Sequence, residues 1–216
     1  MYDPGYIRAT GEEAAERPAW SSFARHCHLR ARGLRAEALA ELDLFIAQAV
    51  VWPLAERAVF CVWLGERRQA YGGQAEALLP VPLFRLLLRP TLEEWAQASP
   101  HDPWPLVWLA RMSAGGSTWH AAPGPILRQA LARDPHLEPA RLDFVRELLR
   151  GVAYNQHELP GGYLGDAAED VADLTEAQAM LRGIELDAQA ELTPLVRQAR
   201  YLAERWLTHG REGWDA

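Results

Sequence analysis

The residues best equipped for chemistry are gathered in one stretch, Tyr154-Asn155-Gln156-His157-Glu158-Leu159-Pro160-Gly161-Gly162-Tyr163-Leu164-Gly165-Asp166. The rest of the chain is dominated by Ala, Leu, Arg and Glu, and Asn155 is its only asparagine. His157 beside Glu158 offers an acid–base pair. Asn155 and Gln156 each carry a donor and an acceptor, the pattern needed to clamp a peptide backbone, and the glycines permit close approach of a ligand. The same composition also suits an ordered inter-helix loop, in which Asn and His bond backbone, Gly supplies turns and the tyrosines pack on the surface. No second histidine follows Glu158 at zinc-protease spacing.

Other clusters carry weaker signals. His26-Cys27-His28 has the composition of a metal site, but neighbours on a helix point about 100° apart, so His26 and His28 do not converge on one ion. Asp166, Glu169, Asp170 and Asp173 recur at three- and four-residue spacing, suited to a cation or a basic peptide, and equally to a helix start that satisfies the dipole. Trp104 and Trp108 stand four apart on one helix face, as interface anchors or as core. No nucleotide-binding or nucleophile-elbow motif occurs. Catalytic residues, metal ligands and cofactors are therefore all read as none. The residues expected to contact a partner are Tyr154, Asn155, Gln156, His157, Glu158 and Tyr163, with Trp104 and Trp108.

Composition narrows the function classes. All 22 basic residues are arginine, which removes any lysine nucleophile, Schiff base or phosphate-loop lysine. A net charge of −7 argues against general nucleic-acid binding. The apolar runs from Phe45 to Pro53 and from Val81 to Leu88 are too short to span a bilayer. The N-terminus lacks a basic region followed by an apolar core, so a cytoplasmic location with no membrane association is expected. Cys27 and Cys61 read as buried thiols.

These residues must be positioned by helices, since no long stretch alternates with period two. The chain is expected to be all-α, with residues 1–18 an irregular arm and 19–210 one helical domain of eight or nine helices. A helix is predicted to start at Ser21 or Ser22. Leu34, Ala38, Leu42, Phe45, Ile46 and Ala49 form one apolar stripe, ended by Pro53. A helix over 54–64 is predicted to end at Gly65, a shorter one to span 83–88, and Thr91 to cap the next. Pro105 and Pro139 start two further helices, with a return helix from Pro125 between them. A loop is expected from Asn155 to Gly165, then a helix capped by Asp166, and a last helix starting at Thr193-Pro194.

Pro105 and Pro139 stand 34 residues apart, the period of tetratricopeptide helix–turn–helix units. Ala130-Leu131-Ala132-Arg133-Asp134-Pro135 resembles the end of such a unit, where a small residue packs between helices and a proline stops the second one. The segment from about Asp102 to Leu186 is thus similar to bacterial tetratricopeptide-like proteins, although Pro123 occupies a slot usually held by a small residue. The resemblance implies irregular helical hairpins that bind a protein or peptide. Two other readings stay open: an immunity or inhibitor protein whose acidic surface plugs a basic toxin site, and an enzyme using His157 and Glu158 as acid and base.

Overall fold

The computed structural model describes residues 4–72, 78–113, 122–210 and 212. Among them no residue lies in a strand, and ten helices account for the regular structure. No helix among the described residues is long and apolar enough to cross a membrane. The chain divides into two compact units, residues 1–122 and 123–216. That boundary falls inside the 34-residue spacing, so the helix at Pro105 and its expected return helix belong to different units.

The first unit begins with a correction. Residues 1–18 were expected to be irregular, yet Pro4–Ala15 is helix α1. It buries Tyr6, Ile7, Thr10, Gly11 and Ala14, a face too rich in small and polar residues to read as an apolar stripe. Gly11 allows the close crossing with the next helix, since a Cβ there would lie 2.8 Å from Cys27 Cβ. A short 3-10 turn, Pro18–Trp20, leads into α2 (Ser21–Ala31), so Trp20 takes the N-cap position in place of a serine.

Helix α3 (Arg35–Ala49) buries Ala38, Leu42, Phe45, Ile46 and Ala49 of the stripe read from the sequence, while Leu34 stands before it as its half-buried N-cap. Helix α4 (Leu54–Tyr71) runs past Gly65, which is an interior crossing point and not a cap. Gly72, at φ 59°, ends it instead, a backbone conformation open to glycine. Residues 81–98 form α5, made of Val81–Leu83, a π-turn over Phe84–Leu88 and Arg89–Ala98. Pro90 has no N–H to continue the α ladder; the preceding turn widens, with the Arg89 amide donating to the Phe84 carbonyl. Thr91 is a buried residue of this helix, not its cap, and receives Arg57 from α4; Arg57 also pairs with Glu94 at 2.8 Å.

Helix α6 (Trp104–Ser113) closes the unit, with the Asp102 side chain accepting from the Trp104 amide at 3.0 Å. Trp20, Phe23, Phe45, Phe60 and Trp63 make its aromatic core, with Phe45 and Phe60 centroids 4.7 Å apart. Cys27 and Cys61 are free and buried, and burial pushes both thiols up to about 12.

The second unit contains α7 (Pro123–Arg133), α8 (Glu138–Gln156), α9 (Ala167–Leu181) and α10 (Leu186–His209). Helix α8 continues through Gln156, two residues beyond the predicted end, so the connection to α9 is shorter than expected. Helix α10 starts at Leu186 and holds Pro194 in its interior, eight residues after its first residue. A proline removes one backbone bond, which a 24-residue helix packed along α9 sustains.

Two side chains of α8 fix the α9–α10 turn. Arg141 donates to the carbonyls of Met180 and Arg182, satisfying the end of α9. Glu138 accepts from the Glu185 amide at 2.8 Å, satisfying the start of α10. Arg128 of α7 lies 4.7 Å over the Phe144 ring and bonds Glu176 at 2.6 Å, tying three helices together.

Candidate functional site

The residues singled out between 154 and 166 separate into a buried set and an exposed set. The buried set centres on Asp170, only 5% exposed although it is a carboxylate. Asn155 Nδ2 donates to both its oxygens, at 3.0 and 3.1 Å, and Tyr163 donates its hydroxyl at 2.5 Å. Gln156 Nε2 donates to the Tyr163 oxygen at 3.2 Å and to the Ala199 carbonyl of α10 at 2.8 Å. One chain of bonds thus runs from α10 through the loop to α9. Burial, and then the bond to Asp170, hold the Tyr163 hydroxyl well above the usual phenol range, so it stays a neutral donor.

The loop backbone follows the same logic. The Leu164 amide donates to the Asn155 carbonyl at 2.9 Å. Gly165 lies directly against the Asn155 side chain, where a Cβ would approach Nδ2 to 2.4 Å. Only glycine fits that place without displacing the amide from Asp170. Asn155, Gln156 and Tyr163 are therefore engaged in holding the loop to α9 and α10.

The exposed set is Tyr154, His157, Glu158 and Leu164. Tyr154 is 67% exposed and Leu164 52%. The His157 ring lies 5.2 Å from the Tyr154 ring, and His157 Nδ1 donates to the Tyr154 carbonyl at 2.5 Å. With Nδ1 as that donor, the imidazolium form also presents Nε2–H to Glu158, 3.0 Å away. Both side chains stand largely in solvent.

The tryptophans belong to the first unit. Trp108 is buried on Gly65 of α4, and a Cβ at position 65 would lie 2.5 Å from its ring. The Arg111 guanidinium sits 5.1 Å from the same ring centroid. Trp104 is half-buried and stacks at 6.3 Å on Trp108. Trp119 lies outside the described residues.

The four acids do not converge. Asp166 caps α9 through the Ala168 and Glu169 amides. Asp170 belongs to the buried network, and Asp173 with Glu176 faces Arg128. Burial raises the Asp173 carboxyl above its ordinary value, Glu176 and Asp170 add to that, and Arg128 opposes it. His26 is buried and gives its Nδ1 proton to the Ala38 carbonyl at 2.7 Å. Among the described residues no group of three His, Cys, Asp or Glu side chains is placed to hold a metal ion.

One cleft escaped the sequence reading. Helices α9 and α10 enclose about 350 Å3 between Gln178, Leu181, Arg182, Gln189, Thr193 and Arg197. The available signal was spacing: 189, 193 and 197 share one face of α10, opposite Gln178 and Leu181 of α9 and Arg182 just beyond its end. These positions carry too few apolar residues to stand out as a packing stripe.

Comparison of the chain with protein-family models, with characterised proteins and with solved structures gave no match. The functional reading therefore rests on the geometry of the two units.

Proposed function

We propose that this protein is a non-catalytic, tetratricopeptide-like helical scaffold that binds a protein or peptide partner in the bacterial cytoplasm. The observation that carries this reading is the rigid display of Tyr154. Its ring stands in solvent beside His157, on the last turn of a helix whose following loop is pinned through Asn155, Gln156 and Tyr163 to buried Asp170. Aromatic side chains supply much of the energy of protein interfaces, and holding them ready lowers the ordering cost of association. Glu158 and Leu164 complete the face with a charge and an apolar side chain. Asn155, Gln156 and Tyr163 act behind it as supports.

The test uses the intact chain as bait in native lysate, beside Tyr154→Ala/His157→Ala and Asn155→Ala variants. The reading expects one partner retained by the wild type and lost from the double variant, which leaves the buried network untouched. Its purified complex should weaken at least about tenfold, the loss of one interface anchor. Equal capture by wild type and double variant would remove this face from the account.

A further inference from the structure

From the α9–α10 cleft we infer a second binding site, one that takes a carboxylate-bearing peptide. The inference deepens the scaffold reading by giving ligand chemistry, at a cleft that does not include Tyr154 or His157, so either assignment can fail alone.

Three observations converge. First, Arg182 and Arg197 both line the cleft, and neither guanidinium has an ion-pair partner among the described residues. Residues 123–216 hold 10 arginines against 16 carboxylates, yet Arg141, Arg146, Arg182 and Arg197 are in no ion pair among the described residues. Arg128, Arg150 and Arg200 of the same unit are all paired with acids. No acid among the described residues lines the cleft, so its charged lining is two arginines.

Second, the neutral lining suits a peptide and not a bare ion. Gln189 carries a donor and an acceptor, the complement of a peptide group, Gln178 an amide donor whose oxygen already accepts from Arg200, and Thr193 a hydroxyl. Leu181 and the arginine stems supply apolar wall. A volume near 350 Å3 falls in the range of small-ligand clefts, far larger than a single anion requires.

Third, the cleft is braced from outside. Arg141 and Glu138 of α8 fix the end of α9 and the start of α10, on either side of Arg182. The two helix faces are thus held in register by α8, with one further bond to a lining residue, Arg200 Nη1 donating to Gln178 Oε1 at 3.5 Å. A planar guanidinium meets a carboxylate through two parallel N–H bonds, which gives orientation as well as attraction. Arg182 and Arg197 would grip the carboxylate, with the glutamines bonding the preceding peptide group.

The experiment follows amide and arginine Nε–H resonances of the 15N-labelled full chain during titration with N-acetyl-leucyl-glutamate, its diamide, or inorganic phosphate. The expected result is saturable shifts confined to residues 175–197 with the dicarboxylate, weakened about tenfold by the diamide. Arg182→Gln/Arg197→Gln should abolish them. Both arginines are exposed, and unchanged far-ultraviolet circular dichroism would confirm the fold. Shifts equal for acid and diamide, or no carboxylate-dependent shift in this segment, would overturn the site. Phosphate binding as tightly as the dipeptide would overturn the peptide assignment and leave a plain anion site. None of these outcomes bears on capture through Tyr154, which the first test reads separately.

Discussion

Asn155 and Asp170 show how one polar pair can decide the use of a whole segment. Asp170 is buried against the neutral donors Asn155 and Tyr163, and loss of the Asn155 amide leaves its Oδ1 without a side-chain partner among the described residues. Asn155→Ala is expected to lower the unfolding free energy by about 1–3 kcal/mol in urea titration. A neutral result would mean that the amide is free for another role. His26 makes a second prediction at this scale. Burial is the largest influence lowering its pKa below 6.5, Arg30 adds to it, and the bond to Ala38 opposes them. The folded state therefore prefers neutral imidazole; the stability this contributes is present above pH 6.5 and is lost as pH falls through the lower folded value. Between about pH 8 and about pH 5 the wild type should lose more unfolding free energy than His26→Gln. Equal slopes would contradict a buried neutral imidazole. Composition alone drew attention to the 154–166 stretch, and rightly marked it as dense in hydrogen-bonding groups. Which groups face inward was not legible, because Asn155 reaches Asp170, and Gln156 reaches Ala199, only through tertiary packing.

Elements were legible where one apolar face repeated cleanly. Helix α3 is the clear case, and its buried residues are those its period predicts. Helix α1 was missed because Thr10, Gly11 and Ala14 form part of its buried face, and small or polar residues leave no hydrophobic signal. Gly65 was misread for a related reason: a glycine after an apolar run looks like a helix end. In the structure it lets α4 and α6 approach closely enough for the Trp108 ring to occupy the space a side chain would take. Gly65→Ala should therefore destabilise the protein by about 1–3 kcal/mol, the cost of overpacking a filled core. Gly151, in the middle of α8 with open space around it, gives the matched control. Gly151→Ala should stabilise by about 0.4–1 kcal/mol, since alanine orders the unfolded chain less expensively. Thermal unfolding of both variants checks the pair, and the same sign for both would contradict the crossing described here. Prolines misled in the opposite direction: Pro90 and Pro194 read as boundaries, yet each sits within a continuous helix that tertiary contacts sustain.

At the scale of the molecule, hydrophobic patterning and the absence of alternation made the all-α class legible, while the division at residue 122 was not. Unit boundaries depend on which helices pair, and the 34-residue spacing placed together two helices that fall in separate units. Charge is also divided unevenly. The first unit nearly balances its acids, whereas the second carries six more acids than arginines, by the counts of 16 and 10. The proposed partner face and the proposed arginine cleft both lie in that second unit. The most direct measurement is photo-crosslinking from p-benzoylphenylalanine placed at position 154, compared with the same residue at exposed position 8 of the first unit. The account predicts one protein or peptide crosslinked from position 154 and absent from position 8, with the adduct reduced by His157→Ala. The same adducts from both positions, or none from 154, would contradict the claim that this face binds a partner.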